Sequence, residues 1–314
     1  MTAEFSYRRS AACCLGLILT LVGCRAQPIG LTAVSVSAIA SQPSSSDAGL
    51  AVDASGELLL SWIGGDTSDL ALYVARSADS GRTWSAGVRV AGGAGAPGEV
   101  HPHGESSPRL VAGPAERIAI TWANSIPVTT RKWPAAMIRL SQSTDGGRSW
   151  SPPVTLNDDT TGALVSHQFH GAAWSGDSGL EVAWLDERGT GGVPGPADTA
   201  GAADPHGHGE SEPDATIYLA SSPDFGRTWT ANRPLWGAAC PCCRVSLARG
   251  ADGRVLSAWR KHFPGDVRDV VVAPLDADSS LVRRVHADEW VYPGCPHTGP
   301  AVAVDATGTH IVWY

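Results

Sequence analysis

Ser77-Ala-Asp79-Ser-Gly81-Arg-Thr83-Trp84 decides the fold, because the chain contains it three times in altered form. The other copies are Ser143-Thr-Asp145-Gly-Gly147-Arg-Ser149-Trp150 and Ser222-Pro-Asp224-Phe-Gly226-Arg-Thr228-Trp229. The shared pattern, S-x-D-x-G-x-[ST]-W, has the chemistry of a tight turn. The Asp carboxylate accepts backbone N–H groups inside the loop and the Gly takes a positive φ. The Trp folds back over the hairpin as an apolar plug. Each copy follows an alternating apolar run, at 70–75, 136–140 and 217–220, so each predicts strand, turn, strand.

A second element precedes each turn: a strand pair ending in Trp, at 49–62, 108–122, 171–184, 245–259 and 300–313. Its Trp residues are spaced 60, 62, 75 and 54 apart. One such pair plus one Asp-turn pair makes four strands per unit, which is the size of a β-propeller blade. The turns resemble the Asp-boxes (BNR repeats) of the sialidase-like propeller superfamily, over roughly residues 49–314. That resemblance implies an all-β propeller, with six blades as the usual number and the Asp-boxes on the face opposite the site. The repeat supplies about four and a half four-stranded blades, the fourth with a decayed turn at Pro274-Leu275-Asp276. The expectation is therefore a propeller over 48–314 that is incomplete at its C-terminal side.

Composition agrees. The 314 residues hold 36 Gly, 22 Pro and 12 Trp, a turn-rich all-β balance. The formal net charge of -8 argues against a general nucleic-acid binder, which needs a basic surface. Arg8 and Arg9, the apolar stretch 11–22 and Leu21-Val22-Gly23-Cys24 resemble a bacterial lipoprotein signal. That reading makes 1–23 a signal peptide, Cys24 the lipidated residue and 24–47 a tether. The mature chain is then exported, anchored through its lipid to the membrane of the bacterial cell envelope, and in a compartment that permits disulfides.

In a propeller the loop leading into each innermost strand lines one end of the central channel. Those loops read His101-Pro-His103-Gly-Glu105-Ser-Ser-Pro-Arg109, His167-Gln-Phe-His170, Cys240-Pro-Cys242-Cys243-Arg244 and Cys295-Pro-His297. Metal-ligand residue types thus recur at one repeat position in four successive blades. One reading is a copper or zinc site drawing on Cys240, Cys242, Cys243, Cys295, His297, His103 and His170. The other is disulfides, the commonest fate of four cysteines in an exported protein, with Cys242 or Cys243 joined to Cys295. A further His group, His206 and His208, falls in an insertion at about 188–215 that reads as a surface loop.

The superfamily resemblance also implies an arginine cluster for a substrate carboxylate, which the planar guanidinium fork matches. The candidates are Arg109, Arg244, Arg260 and Arg268. No catalytic residue carries over: the Arg-Ile-Pro motif has no counterpart, Ser107-Pro108-Arg109 does not replace it, and Tyr73 and Tyr218 fall in repeat strands. Tyr292 is the one tyrosine placed to be available. Three functions follow as expectations: an exo-glycosidase-like hydrolase of extracellular glycans, a non-catalytic metal- or ligand-binding lipoprotein, or a structural and interaction propeller.

Overall fold

The structure, a computed structural model, describes residues 44–131, 133–159, 164–188 and 214–314. The signal segment, Cys24 and the His206/His208 insertion lie outside the described residues. Within them the chain forms β-strands and two single-turn 3-10 segments, with no α-helix.

The strands form antiparallel sheets in chain order. The first is β1 (Ser46–Val52), β2 (Leu58–Gly64), β3 (Ala71–Ser77) and β4 (Val88–Gly92). The second is β5 (Arg109–Ala112), β6 (Ile118–Ala123), β7 (Ile138–Ser143) and β8 (Val154–Thr155). The third is β9 (His167–Ser175), β10 (Gly179–Asp186), β11 (Ala215–Ser222) and β12 (Arg233–Ala239). The fourth is β13 (Ser246–Arg249), β14 (Val255–Phe263), β15 (Val267–Pro274) and β16 (Arg283–Arg284), touching the third through the single pair Ala239 and Lys261. A hairpin of β17 (Ala301–Asp305) and β18 (Gly308–Val312) continues the series. The first strands β1, β5, β9, β13 and β17 lie side by side in that order, as the inner strands of successive propeller blades do.

The core lies in the seams between blades. Ile63, Leu72 and Val74 of the first blade meet Ile120 and Trp122 of the second. Ala119 and Ile138 meet Trp174, Val182 and Trp184 of the third. Trp236 of the third stacks on Trp259 of the fourth, ring centroids 4.4 Å apart. A blade buried on both faces needs apolar residues on both faces of its middle strands, and all six residues of β6 are buried.

The repeated turns have the geometry their sequence dictates. In the first, Thr83 N donates to Asp79 Oδ1 at 2.8 Å and Thr83 Oγ1 to Asp79 Oδ2 at 2.6 Å. Gly81 N donates to Ser77 Oγ at 2.8 Å, and Trp84 Nε1 to Gly81 O at 3.1 Å. Asp145 and Asp224 make the same pair of bonds to Ser149 and Thr228. The three Gly residues have φ of 84°, 86° and 74°. Hydrogen bonds that favour the charged form, chiefly from Thr83, bring Asp79 down to about 2.

Candidate functional site: the channel mouth

The segments leading into the inner strands converge, and Glu105 is where they meet. It sits in the 3-10 turn Gly104–Ser106, whose first residue is fixed by Ser106 N donating to His103 O at 2.8 Å. Its carboxylate reaches across the channel: Arg244 Nη1 of the fourth blade donates to Oε1, and Gly299 N, ahead of β17, donates to Oε2 at 2.7 Å. Glycine is required at 299, because a Cβ there would stand 2.5 Å from the Arg244 carbonyl oxygen. Neighbouring segments are stitched together as well. His103 N donates to Asp47 Oδ1 (3.2 Å), Phe169 N to Ser106 Oγ (3.0 Å), and Val245 N to Phe169 O (2.9 Å). Asp47, Phe169 and His297 all hold left-handed backbone, with φ of 53°, 57° and 47°. Such strain costs about 1–2 kcal/mol per residue and concentrates at functional sites.

Around this hub lie polar atoms that the protein does not satisfy. Arg109 Nε donates to His170 O at 3.3 Å, while its buried Nη2 has no hydrogen-bond partner. Burial, with the Arg244 charge second, pushes the Arg109 guanidinium down to about 10. His170 is fully buried, and its ring makes no well-formed hydrogen bond, the Thr121 backbone being the nearest polar group. Burial and the adjacent Arg109 charge lower it to about 3, so the imidazole is neutral at pH 7. His103 Nδ1 and Thr121 Oγ1 are likewise buried without partners. The rings of His103, Phe169 and His297 form an aromatic group with centroids 5.3–6.4 Å apart.

The four candidate arginines separate. Arg109 and Arg244 face the mouth. Arg260 and Arg268 are buried and committed to main-chain carbonyls: Arg260 to Thr298, Arg268 and Tyr314, and Arg268 to Tyr292 at 2.8 Å. Arg260 also lies over the Trp290 ring at 4.6 Å. The metal-ligand candidates separate too. Cys240, Cys242 and Cys243 come together between the third and fourth blades, with Cys295 against Cys242. The segment is a turn with Pro241 at its second position and Cys243 N donating to Cys240 O at 3.4 Å. The sulfurs stand 3.1 Å (Cys240–Cys243), 3.9 Å (Cys240–Cys242) and 4.0 Å (Cys242–Cys243) apart. No disulfide, whose S–S bond is ~2.05 Å, joins the four described cysteines. Hydrogen bonds from the neighbouring thiols, aided by Arg268 at 3.3 Å, lower the Cys240 thiol, while burial pushes Cys243 up. His103, His170 and His297 are not part of this group.

Sequence reasoning missed a second buried network on this face. His167 Nε2 lies 3.0 Å from Asp159 Oδ2 and 3.5 Å from the fully buried Asp186, which also accepts from Trp184 Nε1 and from Arg188. Burial opposes the Arg188 charge, but its bonds to Asp186 and Asp158 outweigh that and raise its pKa. The guanidinium lies over the Tyr218 ring at 4.4 Å. The sequence signal was an Asp two residues past the blade Trp, at the end of β10.

No protein-family model and no curated protein matches the chain. Solved structures do. The GH93 α-L-arabinofuranosidase of Fusarium graminearum, in complex with arabinobiose, aligns with TM-score 0.56 at 13% identity over 88% of this chain and 77% of that one. The α-L-arabinanase of Penicillium chrysogenum, also with arabinobiose, aligns with TM-score 0.52 at 13% identity over 84% and 73%. The Hadza microbial sialidase Hz136 aligns with TM-score 0.51 at 16% identity over 83% of this chain, which spans half the length of that protein. The fold is therefore that of a β-propeller, the architecture of these glycoside hydrolases.

Proposed function

We propose that the channel mouth binds an acidic saccharide, a sugar carrying a carboxylate. One observation carries this reading: the half-buried Arg109 guanidinium stands beside a second guanidinium, Arg244, and its buried Nη2 has no hydrogen-bond partner. A carboxylate entering there, as side chains shift to open Nη2, would satisfy that donor. The exposed His297 ring, tilted against His103, offers a face to a sugar ring. Solved structures of similar fold include a sialidase and two enzymes in complex with arabinobiose, which supports a carbohydrate as the ligand class. The N-terminal pattern ending in Cys24 supports an envelope-anchored location, where extracellular glycans are met.

Exo-glycosidase-like hydrolysis is the second reading, supported by the same glycoside hydrolases. Glu105 is an unsuitable proton donor for it, since Arg244 and Gly299 N–H already hold its carboxylate as an acceptor.

The test is calorimetric titration with N-acetylneuraminate, glucuronate, arabinobiose and glucose, together with turnover of their fluorogenic glycosides. The expected result is binding of the acidic sugars, weakened about 10- to 100-fold in Arg109→Lys, which keeps the charge and removes the Nη2 donor. Equal affinity for neutral and acidic sugars, or no binding of any, would refute it.

A further inference from the structure

We propose that Cys240, Cys242 and Cys243 form a binding site for one thiophilic d10 cation, Cu(I) or Zn(II), seated in the seam between the third and fourth blades. The inference is independent of the saccharide reading, because none of its metal ligands takes part in the Glu105 hub.

The geometry is that of a ligand triangle. All three side chains are 2% exposed or less. A circle through sulfurs spaced 3.1, 3.9 and 4.0 Å apart has a radius of about 2.1 Å. A cation bound at the usual metal–thiolate length of ~2.3 Å would therefore sit within about 1 Å of the sulfur plane, with no ligand moved. Two thiolates on one tetrahedral zinc are expected ~3.8 Å apart, which two of the three separations match. The Cys240-Pro-Cys-Cys243 turn produces this convergence locally, and Cys240 N donating to Arg260 O at 2.9 Å pins its start to β14.

The surroundings fit a soft cation. Phe169, Trp236, Trp259 and Val245 pack in the same buried cluster and keep hard, strongly hydrated ions at a disadvantage. Three thiolates in such a place would be prohibitive alone, and two charges offset them: the bound cation and Arg268, whose Nη1 lies 3.3 Å from Cys240 Sγ. Cys295, packed against Cys242 but outside the triangle, is the thiol that tetrahedral Zn(II) would have to draw in and that trigonal Cu(I) would not need.

The experiment uses the full chain with Cys13, Cys14 and Cys24 replaced by Ser, so that four thiols remain. The reduced, metal-stripped protein is titrated separately with Zn(II) and with Cu(I) against a chromophoric chelator, and its thermal unfolding is followed with and without each metal. The expected result is one tightly bound cation per chain and a higher melting temperature when it is bound. Loss of a ligand in Cys242→Ser or Cys243→Ser should weaken binding by more than about 100-fold, beyond the 10–100-fold typical of outer groups. Retention of binding in Cys295→Ser assigns Cu(I), and its loss there assigns Zn(II). The proposal is overturned if the reduced protein, with all four thiols titratable in denaturant, binds neither metal and shows no change in melting temperature. It is overturned equally if the protein purified under reductant holds these cysteines in disulfides.

Discussion

His170 makes the stability of this propeller sensitive to acid. In the unfolded chain its imidazole titrates near 6.5, and in the fold burial and Arg109 lower it to about 3. Between those values the unfolded state binds the proton and the folded state does not, so stability falls as pH falls. Over about pH 7 to about pH 4.5 the linkage relation gives a loss of about 2.5 kcal/mol from this one side chain. Carboxylates also titrate in that range, so the informative quantity is the difference between the wild type and His170→Gln, in which they cancel. Urea unfolding followed by tryptophan fluorescence at the two pH values measures it. The wild type should lose about 2.5 kcal/mol more than the variant on acidification. Identical losses would mean that His170 is solvated or partnered in solution, and would refute the description of an unsatisfied, dry imidazole.

Three other expectations follow from the same structure. Glu105→Gln removes the charge that Arg244 and Gly299 share and should cost about 1–3 kcal/mol in chemical denaturation; an unchanged midpoint would remove Glu105 as the hub. Gly299→Ala drives a methyl group into the Arg244 backbone and should cost about 1–3 kcal/mol, whereas Gly237→Ala, with open space around its Cβ and no positive φ, should cost less. Asp79→Asn should lower the melting temperature at neutral pH and flatten its acid dependence between about pH 4 and about pH 2. The folded carboxyl lies at about 2, so its stabilisation is present above the unfolded value near 4 and is lost below it; a wild-type melting temperature that is flat across that window would contradict this.

The fold was legible because it repeats. Asp79, Asp145 and Asp224 each sit in a turn whose chemistry is local, and the blade Trp residues mark a seam position that recurs once per blade. The Glu105 hub was not legible. Its partners Arg244 and Gly299 lie 139 and 194 residues away, and which cation a carboxylate meets across a channel depends on rotamers that no local pattern sets. Arg260 and Arg268 looked equivalent to Arg109 because residue type shows charge, not what the guanidinium is bonded to. Asp47 read as the last residue of the tether, although its carboxylate holds His103 N. Phe169 carried no signal of its strained backbone. The cysteines were the reverse case: a Cys-Pro-Cys-Cys segment turns on itself, so the proximity of three sulfurs followed from sequence, while Arg268 beside them did not.

The central claim is that the mouth built on Glu105, Arg109, His170 and Arg244 is a ligand site. A crystal structure of the protein soaked with an acidic monosaccharide tests it most directly. The account predicts the sugar carboxylate on Arg109 Nη2 and its ring against His297, with the Glu105 bonds to Arg244 and Gly299 intact. A sugar bound on another face, or an Arg109 Nη2 satisfied by the protein with no sugar at the mouth, would contradict it.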